Sequence, residues 1–111
     1  GTNYQPDFEE KILFIEEIDE YLYHIDRMFW QLKFSGVFNH IKGLIIGHFS
    51  NVKDNKIPFG STLEEIILEK VNKFNFPVAF GFPSGHENEN LSLLFGVKTK
   101  FFVQSNQSFL K

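Results

Sequence analysis

The 111-residue sequence contains no cysteine, which excludes disulfide bonds, thiolate zinc sites and cysteine nucleophiles. It also lacks a basic run: 11 Lys and Arg stand against 14 Asp and Glu, for a net charge of −3. Nucleic-acid and anionic-membrane partners are therefore not expected, because both require a concentrated positive surface. Apolar runs such as residues 43–47 are far shorter than the ~20 residues of a membrane-spanning helix. The sequence predicts a soluble domain from a reducing compartment.

What the sequence does contain is apolar material for one core, since 42% of its residues are hydrophobic and fifteen are Phe. Short apolar runs predict buried strands, and apolar residues at helical spacing predict helices. In chain order these are a strand at 11–15, a helix at about 21–35 that stops at Gly36, a strand at 43–49, a helix opening at Ser61 or Thr62, and a strand at 77–82. Strands that alternate with helices favour parallel βαβ units.

The last third of the chain has a different pattern. Residues 91–95 and 98–103 predict an antiparallel strand pair that turns at Gly96, and residues 104–111 predict a flexible tail. The whole chain, residues 1–111, is therefore predicted to form one α/β domain with a mostly parallel central sheet and an antiparallel C-terminal pair.

A cluster of acids follows the first predicted strand, in the order Glu16, Glu17, Asp19 and Glu20. Catalytic and ligand-binding groups of α/β sheets gather at the carboxyl ends of strands, so this position favours a catalytic or ligand-binding role for the acids. The alternative is a solvated loop with acids that suit the N-terminus of the following helix. The residues alone leave both interpretations open.

His86 lies in a glycine-containing turn after another predicted strand. Histidine exchanges protons near neutral pH, so this position suits proton transfer, although an exposed turn histidine is the alternative. Glu16 and His86 would together supply the acid and base of a nucleophile–base–acid relay. The nucleophile is missing, because no serine here sits in a Gly-x-Ser-x-Gly elbow and Ser84 suits a local turn role.

The four histidines show no metal-binding spacing, because neither His-x-x-x-His nor His-Glu-x-x-His occurs. The glycine-rich segments lack the Gly-x-Gly-x-x-Gly and Gly-Lys-Ser patterns that bind phosphates. Neither a metal ion nor an organic cofactor is expected.

Several ordered motifs resemble the C-terminal domain of the LD-carboxypeptidases, the serine peptidase family that also contains the microcin-immunity peptidases. The resemblance covers about residues 4–103. Its motifs are Ile12-Leu13-Phe14-Ile15-Glu16-Glu17, Tyr23-His24-Ile25-Asp26-Arg27-Met28, Gln31-Leu32-Lys33, Gly36-Val37-Phe38, Lys42-Gly43-Leu44-Ile45-Ile46-Gly47, and the series Phe76-Pro77-Val78, Gly81-Phe82-Pro83, Gly85-His86 and Asn90.

This resemblance implies a swivelling β/β/α-type domain from a two-domain cytoplasmic enzyme with a Ser-Glu-His triad. The acid of the family motif falls on Glu16 and the base falls on His86, whereas the serine and the oxyanion-hole amides belong to an N-terminal domain outside these 111 residues. The implied reaction cleaves the L,D-peptide bond of murein tetrapeptide and releases D-alanine in cell-wall recycling, without a cofactor. The implied partners are the protein's own N-terminal domain, the murein peptide and a second copy in a homodimer.

One departure concerns Glu87, since many relatives have Gly directly after the histidine. Its effect on the base and on substrate preference is left open. Two alternative functions also remain, a non-catalytic binding or dimerisation module and a peptidase that acts on peptide–nucleotide antibiotics. Within residues 26–33, Asp26-Arg27-Met28 and Gln31-Leu32-Lys33 resemble the cell-wall-recycling branch of the family more than the microcin-immunity branch. The isolated domain is expected to be inactive and to self-associate through an exposed apolar face.

Overall fold

The computed structural model describes residues 2–105 and 107–111. Its elements, in chain order, are β1 (Ile12–Ile18), α1 (Leu22–Phe34), a 3₁₀ turn (Val37–Asn39), β2 (Gly43–Ser50), α2 (Leu63–Val71), β3 (Val78–Ala79), β4 (Phe101–Val103) and β5 (Ser108–Leu110). The first three strands form a parallel sheet in the order β1-β2-β3, and β4 pairs with β5 in antiparallel fashion. The predicted α/β class, with a parallel sheet and a separate antiparallel pair, is confirmed.

Both helices pack on one face of the parallel sheet. Each helix connects two neighbouring parallel strands, and right-handed crossovers in the same direction put both helices on the same side. The apolar side chains between helices and sheet form the core, which includes Ile25, Phe29, Phe38, Leu44, Ile46, Ile67 and Val71. This face therefore carries most of the buried apolar surface, which is the main source of folding free energy.

The β4–β5 pair packs on the opposite face of the sheet. Gly43 makes this possible, because a Cβ added there would lie only 2.7 Å from Cδ1 of Phe101 on β4. The domain thus has three layers, with the small antiparallel sheet, the parallel sheet and the helices in that order. This agrees with the predicted β/β/α arrangement.

The ends of the helices follow local sequence signals. Thr62 caps α2: its Oγ1 accepts a hydrogen bond from the Glu65 amide at 3.2 Å, and the Glu65 carboxylate accepts one from the Thr62 amide at 2.8 Å. Of the two predicted opening residues, Thr62 is therefore the cap. Helix α1 ends before Gly36, whose φ of +82° confirms the predicted stop.

Lys70 joins the two helices from a buried position, with only 1% of the residue exposed. Its ammonium group hydrogen-bonds Asp26 on α1 and lies 2.7 Å from Oε2 of Glu69 and 5.1 Å from the centre of the Trp30 ring. Burial alone lowers the pKa of Lys70, but the hydrogen bonds to the two carboxylates outweigh it and raise the pKa above its usual value.

Several predicted strand boundaries were wrong. Strand β1 does not stop at residue 15 but continues through Glu16 and Glu17 to Ile18, because β2 extends far enough to pair with it. Residues 91–100 form no strand. The antiparallel partner of Phe101–Val103 is Ser108–Leu110, which lies inside the segment predicted as a tail over 104–111.

The third predicted strand, at 77–82, is reduced to Val78–Ala79. Gly81 turns the chain with a φ of +70°, and Pro83 follows, so regular pairing ends early. No helix within the described residues is long and apolar enough to cross a membrane.

Candidate active site

The two site residues expected from the sequence are in contact. Nδ1 of His86 lies 2.9 Å from Oε2 of Glu16, although 70 residues separate them in the chain. The Glu16 side chain is 30% exposed and the His86 side chain is 50% exposed, so the pair lies at the surface and is open to a substrate. Their catalytic roles stay predictions at this point.

Glu16 reaches this position because of strand alternation. Successive side chains of a strand point to opposite faces, so Glu16 shares a face with Phe14 while its neighbour Glu17 faces the helices. Glu17 lines an apolar groove beside α1 and accepts a hydrogen bond from the Ile18 amide. Only one of the two adjacent acids can therefore meet His86.

The other acids of the cluster are engaged elsewhere. Asp19 forms an ion pair with Lys53 at 3.3 Å, and Glu20 contacts Nδ1 of His24 at 2.7 Å. Of the four acids that the sequence singled out, Glu16 alone contacts His86. The pattern of charges could not separate these acids, because all four precede the same helix.

The loop that carries His86 is held over the end of β2 by backbone hydrogen bonds. The Phe82 amide donates to the Ile46 carbonyl at 3.1 Å, and the His48 amide donates to the Ser84 carbonyl at 2.9 Å. These bonds continue the pairing between β2 and the chain after β3. The loop is closed on itself by a bond from the Gly85 amide to Oδ1 of Asn90 at 3.3 Å.

Two glycines allow the loop to lie this close to the sheet. A Cβ added at Gly47 would lie 2.6 Å from both the Ser84 carbonyl oxygen and Cζ of Phe14. Gly85 has a φ of +141°, and a Cβ there would lie 2.9 Å from Cβ of His48. Both positions therefore require glycine, one for close approach and one for backbone conformation as well.

An open pocket lies next to the Glu16–His86 pair. It is lined by the pair itself together with Phe14, Ile15, Ser84, Gly85, Asn90 and Phe95. Phe95 packs edge-on against Phe14, with ring centres 6.0 Å apart, yet it is 72% exposed. Leu91, Leu94 and Val97 are also exposed nearby in the chain, so the pocket borders an apolar surface segment, residues 91–97.

None of the described serine hydroxyls donates a hydrogen bond to His86. Ser35 donates to the Leu32 carbonyl at 3.0 Å, and Ser50 donates to Oε1 of Glu87 at 2.7 Å. Ser84 lines the pocket, but its backbone is part of the turn that holds the loop. The described residues thus hold an acid and a base with no activated nucleophile beside them.

The remaining histidines do not join this site. His24 contacts Glu20 and His40 contacts Glu9, each at 2.7 Å, and Nδ1 of His48 is buried with no hydrogen-bond partner among the described residues. Within residues 2–105 and 107–111, no three His, Asp or Glu side chains lie close enough together to hold a metal ion.

Comparison with known proteins decides the family. Residues 1–101 match the family model described as the LD-carboxypeptidase C-terminal domain. The chain belongs to this family. It is 37% identical over 103 residues to a Synechocystis protein that bears the name of a carboxypeptidase, and this match covers 90% of the chain. It is 34% identical over 98 residues to a Bacillus subtilis protein named as a probable murein peptide carboxypeptidase, with 88% of the chain covered.

Solved structures agree with this membership in the LD-carboxypeptidase family. Muramoyltetrapeptide carboxypeptidase from Oxalobacter formigenes superimposes with a TM-score of 0.86 and 31% identity over 99% of this chain. The microcin C7 self-immunity protein MccF superimposes with a TM-score of 0.64 and 25% identity over 75% of it. The chain spans only about a third of its relatives: 33% of the Synechocystis protein, 31% of the Bacillus protein and 39% of the Oxalobacter structure.

Proposed function

We propose that the whole protein is a serine LD-carboxypeptidase that removes the terminal D-alanine of murein tetrapeptide, and that Glu16 and His86 are the acid and the base of its Ser-Glu-His triad. The observation that carries this proposal is the 2.9 Å contact between Oε2 of Glu16 and Nδ1 of His86. Membership in the family and the names of the relatives support the reaction class.

The geometry of the pair suits general-base catalysis. A carboxylate only accepts hydrogen bonds, so the contact with Glu16 places the imidazole proton on Nδ1 and leaves the lone pair on Nε2. Nε2 would then take the proton of an attacking serine and later return it to the leaving amine of D-alanine. The negative charge of Glu16 stabilises the imidazolium that forms between these steps.

The nucleophile, in this proposal, comes from a separate N-terminal domain. Support comes from the length of the relatives, about three times that of this chain, and from the serines described here, none of which bonds His86. The exposed segment 91–97 borders the pocket and would supply an apolar surface for that domain. The 111-residue chain by itself would then be inactive.

For the whole protein we also propose a cytoplasmic location and assembly as a homodimer.

The decisive experiment measures D-alanine release from murein tetrapeptide by the full-length protein. His86→Ala and the 111-residue chain serve as controls, and circular dichroism checks that both are folded. Release by the parent that disappears in both controls supports the split triad. Activity in the isolated chain would overturn the assignment of the nucleophile to another domain. A parent with no release would point to another peptide substrate or to a binding module.

A second candidate is an immunity peptidase of the microcin type. The observation in its favour is 29% identity over 102 residues to the Escherichia coli MccF protein. The higher TM-score and wider coverage of the Oxalobacter enzyme favour the murein substrate. Aspartyl sulfamoyl adenosine, which is bound in a solved MccF structure, is the competing compound to offer the full-length protein. Preferential cleavage of that compound would reverse the order of the two candidates.

A further inference from the structure

Ser50 and Glu87 form a second contact between the sheet and the loop that carries His86. The Ser50 hydroxyl donates to Oε1 of Glu87 at 2.7 Å, a bond that joins residues 37 positions apart. Ser50 is the last residue of β2 and is buried, with 5% exposed, whereas Glu87 is exposed and directly follows His86. The carboxylate of Glu87, the residue next to the proposed base His86, thus accepts a hydrogen bond from a buried hydroxyl of the sheet.

The position of Ser50 depends on a register shift between β1 and β2. Ile15 pairs with Ile46, but Glu17 pairs with Phe49, so β2 has one residue more than β1 between these pairs. A shift of one residue moves side chains to the other face of a strand. With regular pairing Phe49 would lie opposite Ile18, and the Ser50 hydroxyl would point to the helix side.

With the shift, Ser50 pairs with Ile18, which is on the same face as Glu16 because the two are separated by one residue. The backbone of Ser50 is also held, since its carbonyl accepts a hydrogen bond from the Asp19 amide at 3.0 Å. Glu16 on β1 and Ser50 on β2 therefore lie on the same face of the sheet. Two consecutive loop residues bind them, His86 to Glu16 and Glu87 to Ser50.

We infer that Ser50 and Glu87 are positioning residues: their hydrogen bond holds the loop so that Nδ1 of His86 stays on Glu16. This inference rests on the proposed function for its effect on turnover. It would also help an exposed base to keep one orientation, because the His86 side chain has a single hydrogen bond, to Glu16, among the described residues. The bonds that Phe82 and Ser84 make with β2 hold the loop to the sheet before His86, and the Ser50–Glu87 bond holds it to the sheet directly after His86. Anchors on both sides reduce the number of positions that the imidazole can adopt.

The test compares four variants. Ser50→Ala and Glu87→Ala remove the hydrogen bond, and Glu87→Gln removes the charge but keeps an acceptor oxygen for Ser50. Glu89→Gln is the matched control, because Glu89 is an exposed acid of the same loop that makes no side-chain hydrogen bond among the described residues. Amide NMR spectra establish that each variant is folded.

The first readout is the tautomer of His86 in the 111-residue chain, from the ¹⁵N shifts of its ring. Ser50→Ala and Glu87→Ala should lower the ratio of Nδ1–H to Nε2–H by about 5-fold, as expected for the loss of one hydrogen bond. Glu87→Gln and Glu89→Gln should leave the ratio unchanged. An unchanged ratio in the two alanine variants would overturn the inference, and so would a Glu87→Gln variant that behaves like Glu87→Ala.

The second readout is D-alanine release by the full-length protein. Ser50→Ala and Glu87→Ala should lower kcat about 10-fold while KM stays within about 2-fold, because orientation of the base matters in the transition state and not for binding. An unchanged kcat in a variant whose tautomer ratio has shifted would overturn the role in catalysis. If the unmodified parent releases no D-alanine, the proposed function fails, and the tautomer ratio alone decides the positioning role.

Discussion

The two faces of the parallel sheet are built from the same strands but differ in burial and in the groups that lie against them. On the helix face, the side chains of β1 and β2 pack into the buried core with Phe29, Ile25 and Ile67. On the other face, here called the site face, Phe14 lies against Gly47, and Phe14 and Glu16 line the open pocket beside the loop that carries His86. Because successive side chains of a strand point to opposite faces, neighbouring residues of one strand belong either to the buried core or to the candidate site.

The adjacent acids of β1 give the largest expected contrast between the faces. Glu16→Gln should lower kcat of the full-length protein about 10³- to 10⁴-fold, because the amide no longer fixes the imidazole tautomer or stabilises its charge. Glu17→Gln, one residue away on the helix face, should change kcat less than about 3-fold. Steady-state D-alanine release measures both, and equal losses in the two variants would contradict the assignment of faces.

Aromatic truncation should show the reverse contrast, in stability. Phe29→Ala removes a ring that is fully buried on the helix face and should lower the free energy of unfolding by about 3–5 kcal/mol. Phe95→Ala on the site face removes a ring that is mostly exposed and should cost less than about 1 kcal/mol. Urea unfolding of the 111-residue chain compares them, and a larger cost for Phe95 would show that the site face is part of the core.

Close approach of the loop should make Gly47→Ala costly on the site face. The added methyl group would collide with the Phe14 ring and with the Ser84 carbonyl, so we expect a loss of about 1–3 kcal/mol in unfolding free energy and a lower kcat. Gly60→Ala is the control, because nothing lies within 4 Å and only its φ of +88° opposes the substitution. That variant should lose about 1 kcal/mol and keep its kcat.

The smallest expected effect concerns the cap of α2, on the helix side. Thr62→Ala removes the hydroxyl that accepts a hydrogen bond from the Glu65 amide and should lower the unfolding free energy by about 1 kcal/mol. Ser61→Ala should change it by less than about 0.5 kcal/mol, since Thr62 is the cap. Neither should alter kcat. A larger cost at Ser61 would mean that the helix begins one residue earlier in solution.

Sequence reasoning succeeded where a feature depends on neighbouring residues. The alternation of strands and helices, the stop at Gly36 and the capping box at Thr62 are all local patterns, and the structure contains them. Local signals also mark His86 and the acid cluster that begins at Glu16, and the family resemblance selects Glu16 among these acids. The catalytic roles of Glu16 and His86 stay predictions.

It failed where distant segments compete for a partner. The sequence predicts a tail over 104–111 because three residues carry little signal, yet Ser108–Leu110 pairs with Phe101–Val103. Lys70 is a charged residue near the end of α2 and gives no local signal of burial, yet the packing of α1 against α2 buries it beside Asp26. The Ser50–Glu87 contact was not predictable, since the sequence marks Glu87 only as a departure from the family pattern after His86 and places Ser50 in no motif.

The sequence by itself determined the order of elements, the glycines that turn the chain, and the acid cluster and histidine from which the candidate site is built, because short-range propensity and side-chain chemistry set these features. Only the tertiary structure decided which of two adjacent acids meets His86, and which serine anchors the loop. Both depend on how β1 and β2 pair, and a register shift of one residue changes which face a side chain occupies without any change in the local pattern.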